Sequence, residues 1–216
     1  MSDTPDLVIF DCDGVLVDSE RVANDVFARV LAEVCGLEFT LEQMFDNFVG
    51  HSRLQCLAKV EAMLGEPPPD ELDLRYQRDI DAALATTVEA VAGIEAVLEQ
   101  LTLPRCVASS GSHEKMKMTL GRTGLMRFVE GRIFSTSEVE RGKPHPDIYL
   151  HAMRQMGLDD PQRCVVIEDS PIGVTGAVAA GMRVFGYAEL MPAERLHAAG
   201  AHHVFDRMHD LPALLD

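Results

Sequence analysis

Two aspartates, Asp11 and Asp13, stand two residues apart directly after the short apolar run Leu7–Phe10. A continuous apolar run of this length is typical of a strand that is buried on both faces of a parallel sheet. If the backbone stays extended past the strand, both carboxylates point to the same side. One carboxylate can then attack a phosphorus atom while the other handles the leaving-group proton, a division of labour that needs two close acids.

Two other roles are open to this pair of aspartates. They could simply form the turn that precedes Gly14. A calcium loop is the poorer alternative, because Gly14 comes too early for such a loop and residues 15–17 are Val, Leu and Val, which offer no oxygen side chain.

Hydroxyl groups follow a second apolar segment. Ser109 ends the predicted strand 105–109, and Ser110, Gly111 and Ser112 lead into the N-terminus of a predicted helix. Backbone N–H groups at such a terminus, together with a hydroxyl, form a natural phosphate site. Ser112 can also cap this helix, which is compatible with that role. Ser109 and Ser110 are therefore candidate phosphate ligands.

A lysine lies in a stiffened loop further along the chain. Lys143 stands between Gly142 and Pro144, with Pro146 beyond it. The two prolines restrict the loop, and Gly142 allows unusual backbone angles. This pattern favours a cation that is held in place to bind phosphate over a lysine that merely decorates the surface.

Two acids, Glu168 and Asp169, directly follow the apolar run Cys164–Ile167. Carboxylates at a strand end that faces a phosphate site would repel the phosphate unless a hard cation stood between them, and Mg²⁺ fits this requirement. They could instead cap the helix that begins at Pro171, but Ser170 already fills that position. The two acids are left over as candidate metal ligands.

The elements that must position these groups alternate between strand and helix after residue 93. Apolar runs predict strands at 7–10, 105–109, 132–135, 164–167, 183–186 and 203–205, with helices between the later ones. The fold class predicted by this alternation is α/β, with a doubly wound parallel-sheet core. Ligands of such a sheet bind at the carboxyl ends of its strands, where the polar clusters lie, although the cluster around Lys143 follows a loop.

A long segment near the N-terminus shows only helical patterns. Apolar residues recur at helical spacing in residues 20–36, 41–48, 51–64 and 70–85, and no strand-like run interrupts them. We therefore predict two domains. Residues 1–18 and 88–216 form the α/β catalytic core, and residues 19–87 form an all-helical cap domain that is inserted after the first strand.

Composition restricts the partners. The net charge of −16, from 19 basic and 35 acidic residues, disfavours nucleic acid and anionic membranes. The first six residues show no secretory signal, and no apolar run approaches membrane-spanning length. Five scattered cysteines without a C-x-x-C pair indicate reduced thiols. We expect a cytoplasmic protein, a monomer or weak homodimer, that acts on a small phosphorylated metabolite.

Four segments, as a set and in order, resemble the motifs of the haloacid dehalogenase superfamily. The segments are Asp11-x-Asp13-Gly14-x-Leu16-x-Asp18-Ser19, Ser109, Gly142-Lys143-Pro144-x-Pro146-Asp147 and Glu168-Asp169-Ser170-x-x-Gly173. The chain is similar to the subgroup with a helical cap inserted after the first strand. That subgroup includes phosphoglycolate phosphatases, sugar-phosphate phosphatases and β-phosphoglucomutases.

The resemblance implies a reaction through a phosphorylated enzyme. Asp11 would be the nucleophile that forms the aspartyl-phosphate, and Asp13 would be the general acid/base. Ser109 and Lys143 would hold the transferring phosphoryl group. The Mg²⁺ ligands that the resemblance implies are Asp11, the backbone carbonyl of Asp13, Glu168 and Asp169.

The cap would select the substrate. Gly50-His51-Ser52-Arg53 resembles the cap loop of sugar-phosphate enzymes in the subgroup, where a basic residue contacts the part of the substrate away from the reacting phosphate. Arg53 and, less strongly, His51 are therefore candidate specificity residues, and a surface arginine is the simpler alternative. The chain is also similar to bacterial 6-phosphogluconate phosphatases, which makes 6-phosphogluconate a candidate substrate.

Three alternatives to hydrolysis fit the sequence less well. Mutases of the subgroup carry a cap histidine shortly after the position of Ser19, whereas this chain has Val22-Ala23-Asn24 there, which favours hydrolysis. A signalling receiver domain also uses an acidic pair, a hydroxyl and a lysine, but receivers are far shorter and place the phosphorylated aspartate on an interior strand. A non-catalytic phospho-acceptor protein usually loses a motif residue, and none is missing from this sequence.

Overall fold

The computed structural model describes residues 4–49 and 53–215. The chain forms two compact units. The first combines Met1–Asp18 with Glu89–Asp216, and the second is Ser19–Val88. Val88 thus belongs to the second unit, one residue beyond the predicted end of the cap.

The first unit contains a six-stranded sheet. Its strands are β1 (Leu7–Phe10), β2 (Arg105–Ser109), β3 (Ile133–Ser135), β4 (Cys164–Glu168), β5 (Arg183–Tyr187) and β6 (His203–Phe205). Adjacent strands are all parallel, and they lie in the order β3-β2-β1-β4-β5-β6. The predicted doubly wound parallel sheet is therefore confirmed.

The strand order reverses around β1, at the centre of the sheet. β1 pairs with β2 on one side and with β4 on the other, so that Phe10 lies opposite both Val107 and Ile167. Asp11, the first residue after β1, is therefore at the same level as Glu168, the last residue of β4. β2 ends at Ser109, two residues beyond Val107. Ligands of α/β sheets bind at such a switch point. The strand register therefore brings the polar ends of three strands to one edge.

The second unit is helical. Its described helices are α1 (Ser19–Cys35), α2 (Leu41–Phe48), α3 (Arg53–Leu64) and α4 (Asp70–Thr87). α1 packs against α4 and α2. Phe27 of α1 contacts Phe48 of α2 and Tyr76 of α4 edge-on, with ring centroids 5.2 and 5.3 Å apart. The apolar stripe that predicts α1 is thus the face that this unit buries.

The described helices of the first unit surround the sheet. They are α5 (Ile94–Gln100), α6 (His113–Arg122), α7 (Met126–Val129), α8 (Asp147–Gln155), α9 (Pro171–Ala179), α10 (Ala193–Ala198) and α11 (Leu211–Leu215). α8 contacts β1, β2 and β3, and α9 contacts β4 and β5. The sequence patterns missed α7, α10 and α11, because segments of four to six residues are too short to show a helical period. Within the described ranges, no helix has both the length and the apolar character to cross a bilayer.

Shortening a central side chain is expected to destabilise the sheet. Ile9 lies in β1, fully buried and opposite Cys106 and Val166. Ile9→Ala should lower the free energy of unfolding in urea by about 2–5 kcal/mol, because it removes buried methyl groups and leaves a cavity. Ile172→Ala on α9 is the control, since Ile172 is 55% exposed and its truncation should cost less than about 0.5 kcal/mol. Equal stabilities of the two variants would contradict the central position of β1.

Candidate active site

Backbone hydrogen bonds fix the loop that follows β1. The N–H of Asp11 donates to the carbonyl of Ile167 (2.9 Å), which extends the ladder between β1 and β4 by one residue. The N–H groups of Leu16 and Val17 both donate to the carbonyl of Cys12 (2.9 and 3.0 Å) and close a tight turn. The sheet therefore sets the backbone position of Asp11.

Gly14 is required in this turn for two reasons. Its φ of +75° is a left-handed conformation that glycine adopts without steric cost. A Cβ at this position would also lie 2.0 Å from Oδ2 of Asp169. The missing side chain therefore lets the turn after β1 approach the carboxylate that follows β4.

The side chain of Lys143 is buried between two carboxylates. Its Nζ lies 2.6 Å from Oδ1 of Asp11 and 2.6 Å from Oε1 of Glu168, and only 3% of the side chain is exposed. The loop that carries the lysine turns back through a hydrogen bond from the N–H of His145 to the carbonyl of Gly142 (3.0 Å). The structure thus brings together a lysine and two acids that the sequence places in the site.

Glu168 accepts four hydrogen bonds. Oε1 accepts from Lys143 and from the hydroxyl of Tyr149 (2.9 Å), and Oε2 accepts from the N–H and the hydroxyl of Ser170 (3.0 and 2.9 Å). Ser170 also caps α9, because its Oγ accepts from the N–H of Gly173 (3.1 Å). Complete burial of a carboxylate costs free energy unless hydrogen bonds such as these compensate for the lost water. Tyr149 was not predicted, because nothing in the sequence separates it from the other buried residues of α8.

Burial dominates the electrostatics of Asp11. It raises the pKa of this carboxyl group, Lys143 opposes the effect, and the charges of Glu168 and Asp13 add to it, so that the pKa of Asp11 is about 7. Burial also acts to lower the pKa of Lys143, but Asp11 and Glu168 outweigh it and hold that pKa well above its usual value. One lysine therefore does not fully compensate the acids at this edge of the sheet.

A cluster of acids at the same edge fits a divalent cation. Oxygens of Asp11, Glu168 and Asp169 lie within 4.8 Å of one another. An all-oxygen donor set suits Mg²⁺, and the incomplete compensation of Asp11 leaves negative charge for a cation to neutralise. Glu168 can bind a cation directly only by giving up one of its four hydrogen bonds, and its present contacts make it the support of Lys143. Contact between the Asp13 carbonyl and a metal stays a prediction.

The loop after β2 packs on the turn after β1. The buried hydroxyl of Ser109 accepts a hydrogen bond from the N–H of Gly111 (3.0 Å). A Cβ on Gly111 would lie 3.4 Å from that hydroxyl and 3.7 Å from Oδ2 of Asp13. Ser110 is exposed, and its carbonyl accepts from the hydroxyl of Thr136 (3.3 Å). Ser109 therefore lies beside the acids, and phosphate binding by Ser109 and Ser110 stays a prediction.

A second lysine, Lys115, joins the site from the first turn of α6. Its Nζ lies 2.9 Å from Oδ1 and 2.9 Å from Oδ2 of Asp13. Burial acts to lower the pKa of Lys115, but the charge of Asp13 outweighs it and the pKa is raised. Sequence reasoning missed this residue. Its position six residues after Ser109, at the start of a predicted helix, is a signal that could have found it.

In the second unit, Arg53 is the candidate specificity residue that the structure describes. Its Nε donates to Oδ1 of Asp73 (2.7 Å), and its guanidinium group lies 4.5 and 5.4 Å from the ring centroids of Tyr76 and Phe27. It lines a cavity of about 210 Å³ within this unit. The ion pair and the two rings hold the guanidinium group in one orientation. The other candidate, His51, lies outside the described residues.

Comparison with known proteins identifies similar hydrolases. The model of the haloacid dehalogenase-like hydrolase family matches residues 5–181. The 6-phosphogluconate phosphatase of Escherichia coli (strain K12) is 30% identical to this chain over 179 residues. These residues cover 82% of the chain and 80% of that relative.

Two solved structures resemble the chain along nearly its whole length. A conserved haloacid dehalogenase-like protein of unknown function from Agrobacterium tumefaciens has a TM-score of 0.89 and 40% identity, with 97% of each chain covered. A HAD family hydrolase from Deinococcus radiodurans, solved with bound phosphate and sodium, has a TM-score of 0.88 and 33% identity. That match covers 99% of this chain and 96% of the other.

A methyl group at Gly173 is expected to disturb the carboxylate network. A Cβ there would lie 1.8 Å from Oε1 of Glu168, so the side chain that supports Lys143 would have to move. Gly173→Ala should lower the free energy of unfolding in urea by about 1–3 kcal/mol, the usual cost of overpacking. Gly121→Ala is the matched control, because this helical glycine has nothing within 4 Å of a built Cβ and alanine should stabilise its helix by up to about 1 kcal/mol. A gain in stability for both variants would argue against the network.

Proposed function

This chain belongs to the haloacid dehalogenase-like hydrolase family, as its motifs predict, and on that premise we propose that it is a magnesium-dependent phosphatase of a small sugar or sugar-acid phosphate. The observation that carries the proposal is the buried carboxylate of Asp11, which Lys143 holds at the end of β1. A second acid, Asp13, follows two residues later. A nucleophile and a proton donor are thus available at one rigid strand end.

The first chemical step transfers the phosphoryl group to Asp11. A carboxylate oxygen of Asp11 forms a bond to phosphorus while the bond between phosphorus and the ester oxygen breaks. The proton on Asp13 passes to that ester oxygen, so the sugar leaves as an alcohol rather than as an alkoxide. The products of this step are the free alcohol and an aspartyl-phosphate on Asp11.

The second step releases phosphate and restores the enzyme. Asp13, now a carboxylate, takes a proton from a water molecule as the water oxygen bonds to phosphorus. The bond between phosphorus and the Asp11 oxygen breaks, which regenerates the carboxylate and frees inorganic phosphate. Asp13 is protonated again at the end, so one ester and one water give one alcohol and one phosphate.

Two cations would stabilise the phosphoryl group during its transfer. Mg²⁺, when bound, supplies positive charge that offsets the phosphoryl oxygens. Lys143 contributes a fixed positive charge beside Asp11, and Ser109 and Ser110 would donate hydrogen bonds to the phosphoryl oxygens. The crystal structure of the similar deinococcal hydrolase contains phosphate and sodium, which supports the binding of an anion and a cation. The groups that would hold Mg²⁺ are Asp11, the Asp13 carbonyl, Glu168 and Asp169.

The substrate class follows from the cap and from the Escherichia coli relative. That relative is named for 6-phosphogluconate, a phosphorylated sugar acid, which makes this ester the first candidate. Arg53 would bind the sugar-acid carboxylate with two parallel hydrogen bonds. Its stacking on Tyr76 and its pairing with Asp73 orient the guanidinium group for such a contact. The second candidate specificity residue, His51, stands two positions before Arg53 in the sequence.

The cap residues support hydrolysis over transfer to a second hydroxyl. Of Val22, Ala23 and Asn24, which stand where the resembling mutases carry a histidine, Ala23 and Asn24 line the same cavity as Arg53. The amide of Asn24 donates to the carbonyl of Glu20 (2.8 Å). Neither the methyl group nor the amide is an acid or base that ionises near neutral pH, as the imidazole of histidine does, so these two residues offer no proton relay for a mutase.

Replacing the nucleophile should abolish phosphatase activity. Asp11→Asn is expected to lower kcat by about 10³-fold or more, because the covalent step loses its attacking oxygen. Release of inorganic phosphate from a panel of phosphorylated metabolites, with Mg²⁺ and with EDTA, measures this loss. Asp206→Asn is the matched control, since this side chain is 76% exposed, and it should leave the activity unchanged.

The same panel separates the proposed phosphatase from its alternatives. Release of phosphate without an isomeric sugar phosphate supports hydrolysis. Interconversion of sugar phosphates without net release would identify a mutase instead. Failure of the wild type to do either in the presence of Mg²⁺ would contradict an enzymatic function and leave a non-catalytic phospho-acceptor protein.

Arg53 should act selectively on acidic substrates. Arg53→Met is expected to raise KM for 6-phosphogluconate by about tenfold, the value of one charge-assisted contact, because the sugar carboxylate loses its partner. KM for the best neutral sugar phosphate of the panel should not change. Arg29→Met is the control, because Arg29 is also a paired arginine of the second unit, 3.2 Å from Asp79. An equal rise of KM for both esters would count against the carboxylate contact.

A further inference from the structure

A lysine outside the recognised motifs supports the second acid of the site. We propose that Lys115 is a positioning residue for Asp13, which it holds in the orientation that proton transfer to the leaving group requires. The inference rests on the proposed function, because it takes Asp13 to be the general acid/base. It gives Asp13 a support comparable to the one that Lys143 gives Asp11.

The ammonium group of Lys115 straddles the carboxylate of Asp13. Its Nζ lies 2.9 Å from each oxygen, and it donates a hydrogen bond to Oδ2. Oδ1 is buried and accepts no hydrogen bond within the described part of the chain. The contact therefore restrains the rotation of the Asp13 side chain through Oδ2.

Helix α6, which carries Lys115, is capped at its N-terminus and lies beside the turn that follows β1. Ser112 caps α6, because its Oγ accepts from the N–H of Lys115 (3.2 Å). Thr119, one turn further along the same face, lies beside the side chain of Cys12. α6 thus contacts two consecutive residues after β1, Cys12 and Asp13. This attachment fixes the origin of the lysine side chain relative to the acid.

The two acids that follow β1 each have their own lysine. Asp13 follows Asp11 by two residues at the same strand end. The ammonium group of Lys143 is already engaged by Asp11 and Glu168. The two lysines therefore have separate partners, since Lys143 holds Asp11 and Lys115 holds Asp13.

Positioning of an acid has a chemical signature that a merely structural ion pair lacks. Protonation of the ester oxygen matters most when the leaving group is a poor one, as in alkyl phosphates. It matters least for p-nitrophenyl phosphate, whose leaving group departs without a proton. Loss of the restraint on Asp13 should slow the first kind of ester far more than the second. A role of Lys115 in binding phosphate would slow both equally.

The test compares kcat/KM for β-glycerophosphate, an alkyl ester, and for p-nitrophenyl phosphate. Lys115→Met should lose about 10²-fold on the alkyl ester, the usual effect of a misplaced catalytic group, and less than about threefold on the aryl ester. Lys117→Met is the matched control, because it removes the same charge from an exposed position on the same helix. This control should leave both esters unaffected.

A double variant tests whether the two residues act as one unit. Adding Lys115→Met to Asp13→Asn should cause no further loss on β-glycerophosphate, because the lysine acts only through the acid. A further full loss, or equal losses of Lys115→Met on the two esters, would overturn the inference. If Lys115→Met does not fold, Lys115→Arg replaces it in the test, because arginine keeps the positive charge but moves Asp13 out of its position. A loss confined to the alkyl ester then supports the inference, and any other pattern overturns it.

The wild-type enzyme separates this inference from the proposed function. Turnover of neither ester, and of nothing in the metabolite panel, would overturn the proposed function and the inference with it. Normal wild-type turnover combined with an unselective effect of Lys115→Met would overturn the inference alone.

Discussion

The buried ammonium group of Lys143 between Asp11 and Glu168 is the interaction on which the rest of the site depends. Charges removed from water cost several kcal/mol each unless they are paired and hydrogen-bonded. This one contact ties together the end of β1, the loop before α8 and the end of β4. Any one of the three groups, left without the others, would be an uncompensated charge in the interior. The network therefore constrains folding and chemistry together.

Close packing around these charges explains the glycines of the motifs. A Cβ on Gly14 would overlap Asp169, and one on Gly173 would overlap Glu168. Both carboxylates face backbone with no side chain in between. The glycines let the turn after β1 and helix α9 approach the two acids at the end of β4. The carboxylates can then serve as hydrogen-bond acceptors and as candidate metal ligands within a few ångströms of Asp11.

Individual cationic side chains, rather than the net charge of the protein, provide the positive charge available to an anionic substrate. A net charge of −16 gives a phosphate ester no long-range attraction. Three cations with proposed roles, Lys143, Lys115 and Arg53, are each held by a carboxylate of the chain. Each ion pair fixes the position of the positive charge on its lysine or arginine side chain. The two units divide this task, because the α/β unit carries the lysines beside Asp11 and Asp13 and the helical unit carries the arginine proposed for specificity.

The sequence alone determined the parallel sheet and predicted most residues of the candidate site. Continuous apolar runs mark β1 and β4, and the carboxyl ends of parallel strands converge, so the acids after each run had to meet at one edge. Only the tertiary structure decided the partners: Lys115 with Asp13, 102 positions away, and Tyr149 with Glu168. Local periodicity reports which face of an element is buried, not which side chain on another element it meets. Strand register and helix packing set those contacts, and no local pattern of residues encodes them.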